Sequence, residues 1–114
     1  MTLNVTTTLS AKAGIVTIAG DIDGSTAPQA QEQILALAEP SARLVLDMSG
    51  VSFMSSAGLR MLLVTYRTVS AKGGRAVLVG LSEDLSDTMS QTGFLDFFAH
   101  YDTVDAALAS LDQP

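Results

Sequence analysis

The chain has 114 residues, no cysteine, and twelve acidic against six basic side chains, for a net charge of −6 at pH 7. That length buries a single core without covalent staples, and the missing thiols exclude disulfides, thiolate catalysis and cysteine-held zinc or iron–sulfur centres. The excess of acid repels nucleic-acid phosphates and anionic lipid, so no nucleic-acid partner is expected.

Leu3, Val5, Thr7 and Leu9 alternate with Asn4, Thr6 and Thr8, the period of a half-buried strand. Ser10 to Gly14 separate it from the apolar run Ile15–Ala19, and the two runs together read as a hairpin. Gly20-Asp21-Ile22-Asp23-Gly24 reads as a turn-rich connection, after which Ser25 or Thr26 caps a helix with Pro28 in its first turn. Ala27, Ala30, Ile34 and Leu37 form the buried stripe of that helix, and Pro40 stops it.

Leu44-Val45-Leu46, ending at Asp47, is an unbroken apolar run expected of a strand covered on both faces. From Ser56 to about Ala71 the pattern is helical, with Leu59, Leu62, Leu63, Tyr66 and Val69 on one face and Gly73-Gly74 at the end. Arg60, Arg67, Lys72 and Arg75, four of the six basic residues, fall within this helix and just after it, where they read as a solvated face. Ala76–Val79 is the next buried strand. Ser82 then caps a helix that carries Glu83 and Asp84 in its first turn and closes at Gly93. Phe97-Phe98-Ala99 reads as a short last strand, and Val104, Ala107, Leu108 and Leu111 as a final helix opened by Asp102 or Thr103.

The order β-β-α-β-α-β-α-β-α predicts an α/β fold: a mainly parallel sheet of four or five strands with an N-terminal β-hairpin and about four helices, in one domain over residues 1–114. No run approaches the ~20 apolar residues that span a bilayer. MTLNVTTTL also lacks the basic flank and apolar core of a signal peptide. The expectation is a cytoplasmic protein without membrane insertion.

Catalytic chemistry is hard to assemble from this inventory. His100 is the lone histidine, and M-S-S-A-G lacks the first glycine of the G-x-S-x-G nucleophile elbow. A small serine hydrolase built on Ser56 and His100 is therefore the weakest reading, and the chain is not expected to be an enzyme. No phosphate-binding loop of either glycine-rich type occurs. Asp21, Asp23 and Asp47 sit near strand ends, where carboxylates can gather round a hard cation, but turn and cap chemistry accounts for them, and neither a metal nor a cofactor is expected. Ser55 and Ser56 stand where the long helix begins, and either can be its N-cap. A hydroxyl there is also a suitable place for a covalent phosphate, since unpaired N–H groups and the positive dipole end face it.

Several segments, in order, match one family. Gly20-Asp21-Ile22-Asp23 followed by Thr26-Ala27 resembles the G-x-[IL]-D…T-A segment of STAS domains. Leu44 to Asp47 and then Val51-x-Phe53-Met54 are similar to that family's third strand and following loop, and Ser56-Ala57-Gly58-Leu59 to its phosphoacceptor loop and helix start. The chain most resembles the bacterial anti-sigma factor antagonists. That resemblance implies partner switching: the unphosphorylated antagonist binds an anti-sigma factor that is also a serine kinase, phosphorylation of the loop serine ends the binding, and a PP2C-type phosphatase restores it. By position the acceptor is Ser56, with Ser55 the lesser alternative. Asp23, Thr26, Ser55, Ala57, Gly58 and Arg60 are implied around it in the partner-binding surface. The chain departs from the family at Ser55, where aspartate is frequent. The resemblance leaves a second role open, that of a STAS subunit docked permanently on the nucleotide-binding subunit of a lipid-transport complex.

Overall fold

Alternating and continuous apolar runs condense into one five-stranded sheet in a computed structural model that describes residues 3–10 and 13–111. Strands β1 (Asn4–Leu9) and β2 (Gly14–Ile22) pair antiparallel; β3 (Arg43–Met54), β4 (Arg75–Val79) and β5 (His100–Tyr101) follow in parallel, each beside its predecessor. Helices α1 (Ala27–Leu35), α2 (Ser56–Ala71) and α3 (Glu83–Thr92) make the three crossovers. Because β2 to β5 advance in one direction and parallel crossovers are right-handed, all three helices lie on the same face of the sheet. The terminal helix α4 (Val104–Leu111) covers the other face.

Strand alternation divides the core between these layers. Leu44, Leu46, Met48 and Leu78 point toward α1, α2 and α3, where they meet Ile34, Leu62, Val69 and Met89. Their neighbours Val45, Val77 and Val79 point the other way, onto Ala107 and Leu111 of α4. Burial on both faces is the reason β3 and β4 read as continuous apolar runs.

The expected α/β architecture is present, and four local expectations need correction. Gly20 to Ile22 continue β2 and are not a turn, and β3 runs past Asp47 to Met54; backbone pairing between the two segments overrides their turn-like composition. Thr26 is the N-cap of α1, as expected, but its side chain makes no capping hydrogen bond. Asp23 orders the turn that leads into the helix: its carbonyl accepts the Ala27 N–H at 2.8 Å and its Oδ1 accepts the N–H groups of Ser25 and Thr26 at 2.9 and 3.2 Å. Leu37 and Pro40 lie beyond the helix end at Leu35. Phe94–Phe97 form a 3-10 turn, which moves the last strand to His100–Tyr101; Tyr66 packs tilted against Phe97 and edge-on against Phe98, with ring centroids 5.2 and 5.6 Å away, holding that turn against α2. The caps at Ser82 and Thr103 and the left-handed glycines after α2 and α3 are where the sequence places them.

Candidate functional site

β4 pairs with β3 only from Arg43 to Asp47, so the later half of β3 projects beyond β4 with β2 as its sole partner in the sheet. Two irregularities in that pairing put extra residues into β3: Thr17 pairs with Asp47 but Ala19 with Gly50, and Gly20 pairs with Val51 but Asp21 with Phe53. Each bulge shifts which side chains face inward. Val51 and Met54 are buried as a result, while Ser52 and Phe53 both face solvent, Phe53 with 52% of its surface exposed. The Ser52 hydroxyl donates to Asp21 Oδ1 across the pair at 2.9 Å.

At the end of this projection the Ser55 N–H donates to the Ile22 carbonyl at 2.8 Å, which closes the two strands and turns the chain into α2. Ser55 is extended, and its hydroxyl accepts the Ala57 N–H at 3.2 Å while its carbonyl accepts from Gly58 and Leu59. This is N-cap geometry, so of the two serines Ser55 is the cap. Ser56 is the first residue of α2, exposed, and no hydrogen bond to its hydroxyl forms among the described residues.

The surroundings of Ser56 sort into surface and support. Asp23 lies next to Ile22 and is half-buried at the edge of the same surface; Arg60 is exposed one turn along α2. Hydrogen bonds from the Ser25 hydroxyl and N–H, followed by those from Thr26, hold the Asp23 carboxyl below its ordinary pKa. Thr26 is buried, and its hydroxyl donates to the Asp21 carbonyl at 2.8 Å while accepting the Asp23 N–H at 2.9 Å. It therefore shapes the turn that presents Asp23. Ala57 is half-buried and Gly58 is buried against Met54 and Ile22. The structure thus brings Asp23, Ser55, Ser56 and Arg60 to one end of the sheet, with Thr26 and Gly58 beneath them.

Asp21 and Phe53 also belong to this end of the molecule, although neither is included in the partner-binding surface expected from sequence. The signal available for Phe53 was a large apolar residue two places before the serines, but only the bulges determine that it faces outward. His100 is elsewhere. Leu78 pairs with both Leu46 of β3 and His100 of β5, and Met54 lies eight residues beyond Leu46. At 3.3 Å per residue this puts the imidazole roughly 25 Å from Ser56, so no serine–histidine pair is assembled. Asp47 is occupied by the hydroxyl and N–H of Ser49 at 2.7 and 3.1 Å. Among the described residues no group of three or more histidine, aspartate and glutamate side chains gathers to hold a metal ion, and no helix is long and apolar enough to cross a membrane.

Comparison with known proteins adds to this geometry. The model of the STAS domain matches residues 3–107. The anti-sigma-B factor antagonist of Bacillus subtilis is 40% identical over 81 residues, covering 71% of this chain and 74% of that protein. Among solved structures, an anti-sigma factor antagonist from Mycobacterium paratuberculosis superposes with a TM-score of 0.88 at 28% identity, covering 98% of this chain and 96% of that one. The anti-sigma factor antagonist SpoIIAA in its unphosphorylated form shares the fold at 20% identity, with a TM-score of 0.75 over 99% of this chain and 100% of that one.

Proposed function

Because the chain belongs to the STAS domain family, we propose that it is an anti-sigma factor antagonist that works by partner switching. In its unphosphorylated form it binds an anti-sigma factor that is also a serine kinase; that kinase phosphorylates Ser56 and is released, and a PP2C-type phosphatase removes the phosphate. The observation that carries this reading is the division of labour between the two serines. Ser55 is committed to capping α2, whereas Ser56 presents an exposed hydroxyl with no hydrogen bond among the described residues. Ser56 is the acceptor, and Asp23, Ser55, Ala57 and Arg60 contribute to the docking surface, with Thr26 and Gly58 holding its shape.

Electrostatics supports a switch that acts on docking and leaves the fold intact. A phosphate brings about −1.5 to −2 charges. At a helix N-terminus the dipole stabilises such a group by ~0.3–1 kcal/mol, so the domain tolerates it. Against a partner carboxylate at ~4 Å in an effective dielectric near 20, each charge pair opposes binding by up to ~4 kcal/mol, close to a thousandfold in affinity.

The test is affinity capture from the source cells with Ser56→Ala and Ser56→Asp baits, alongside mass spectrometry of the native chain. The expected result is recovery of one ATP-binding kinase by the alanine bait alone and a phosphate on Ser56 that varies with conditions. Equal capture by both baits, or a native chain never modified at Ser56, overturns the reading.

A further inference from the structure

Arg60 carries a charge that the fold does not use. Arg43 donates to the Leu111 carbonyl at 2.6 Å and Lys72 to the Ala38 carbonyl at 2.8 Å, each tying two elements together. The Arg60 guanidinium is exposed and makes neither a hydrogen bond nor an ion pair among the described residues.

Its position relative to Ser56 is specific. Residues four apart on a helix lie one above the other, with Cβ atoms about 5–6 Å apart. Helical side chains lean toward the N-terminus, so the patch of surface that Arg60 covers is the turn that begins with Ser56. An acidic group placed N-terminal to a base at this spacing is also the favourable orientation. The other charged groups at this end oppose a phosphate. Asp23 follows Ile22, whose carbonyl binds the Ser55 N–H, and Asp21 pairs with Phe53. Both carboxylates turn a phosphate on Ser56 away from β2 and toward α2. Arg67 lies seven residues beyond Arg60, about 10 Å further along the helix.

We propose that Arg60 is the internal counter-ion of a phosphate carried by Ser56, its planar guanidinium donating hydrogen bonds to two phosphate oxygens. This deepens the reading of Ser56 as the modified residue and rests on it. Modification then changes the docking surface twice: it adds the phosphate's charge, and it withdraws the guanidinium from any carboxylate of the partner. The ion pair also favours the fully ionised phosphate, the form that repels most.

The experiment uses the full chain with phosphoserine incorporated at position 56 during translation, so that no kinase is required. The second ionisation of the phosphate, ordinarily near pH 6, is followed by phosphorus NMR. Replacing Arg60 by glutamine is expected to raise the midpoint by roughly half a pH unit, the size of an exposed charge pair. Arg60→Lys should recover part of the shift as a point charge, and the difference should shrink at ~1 M salt. Identical midpoints with Arg60 and with Arg60→Gln overturn the proposal, as does an equal shift from Arg67→Gln. A native chain that is never phosphorylated on Ser56 defeats the functional reading but leaves this titration difference in place, so the two failures are distinguishable.

Discussion

Gly58 and Met54 approach so closely that a methyl group on the glycine would stand 2.2 Å from Met54 Cγ and 3.0 Å from Ile22 Cγ2. The first turn of α2 is thereby pressed onto the ends of β2 and β3, which is what fixes the Ser56 hydroxyl relative to Asp23. Replacing Gly58 by alanine gains some helix propensity, about 0.5–1 kcal/mol, but overpacks a buried contact at a cost of about 1–3 kcal/mol. A net loss of roughly 1–2 kcal/mol is expected, read as a lower urea midpoint at unchanged slope. An unchanged midpoint would mean that Met54 yields freely and the glycine is not needed for packing.

The neighbouring hydroxyls should separate in stability measurements. Ser55→Ala removes the cap on α2 and is expected to cost about 1 kcal/mol. Ser56→Ala removes an exposed group without a partner among the described residues and should stay within about 0.5 kcal/mol of the parent. Urea denaturation of the two variants decides between them, and the reverse order would exchange the roles assigned here.

Most of the fold was legible because its signals are local. The apolar runs at Leu44–Leu46 and Ala76–Val79, the cap at Ser82 and the glycines after two helices each declare an element within a few residues. What escaped was set by contacts between distant segments. Gly20-Asp21-Ile22 has the composition of a turn and becomes strand because Val51 to Met54 pair with it, and Phe97 leaves the sheet for a 3-10 turn packed on Tyr66. For the site, the position of the serines could be read directly. That Phe53 is exposed depends on side-chain direction after two bulges, that Thr26 is buried depends on its hydrogen bonds to Asp21 and Asp23, and which serine caps the helix depends on local backbone geometry; no period in the sequence encodes these.

The turn that leads into α1 predicts a pH dependence. Asp23 accepts hydrogen bonds from the Ser25 hydroxyl at 2.7 Å, from the Ser25 N–H and from Thr26, and its pKa is lowered from the ordinary 3.8. A depressed folded-state pKa contributes stability that is fully present above the unfolded value and is lost as the pH falls through the folded one. The unfolding temperature of Asp23→Asn should therefore lie below that of the parent at neutral pH, with the gap closing below about pH 4. A gap that persists unchanged to pH 2.5 would show that the carboxylate's charge plays no part in that turn.

Phe53 provides the sharpest separation of surface from fold. The ring is half exposed, beside the Ser52–Asp21 hydrogen bond and two residues before Ser55. Aromatic anchors of this kind carry a disproportionate share of interface energy when a partner covers them, commonly 2 kcal/mol or more on truncation. Phe53→Ala should weaken binding of the kinase recovered with the Ser56→Ala bait by about thirtyfold or more. Its cost to folding should be about 1 kcal/mol or less, because only part of the ring is buried. Calorimetric titration and urea denaturation of the same variant test both halves. Lost stability with intact affinity would assign the ring to the fold, whereas lost affinity in a stable domain would extend the docking surface from the start of α2 onto the projecting end of β3.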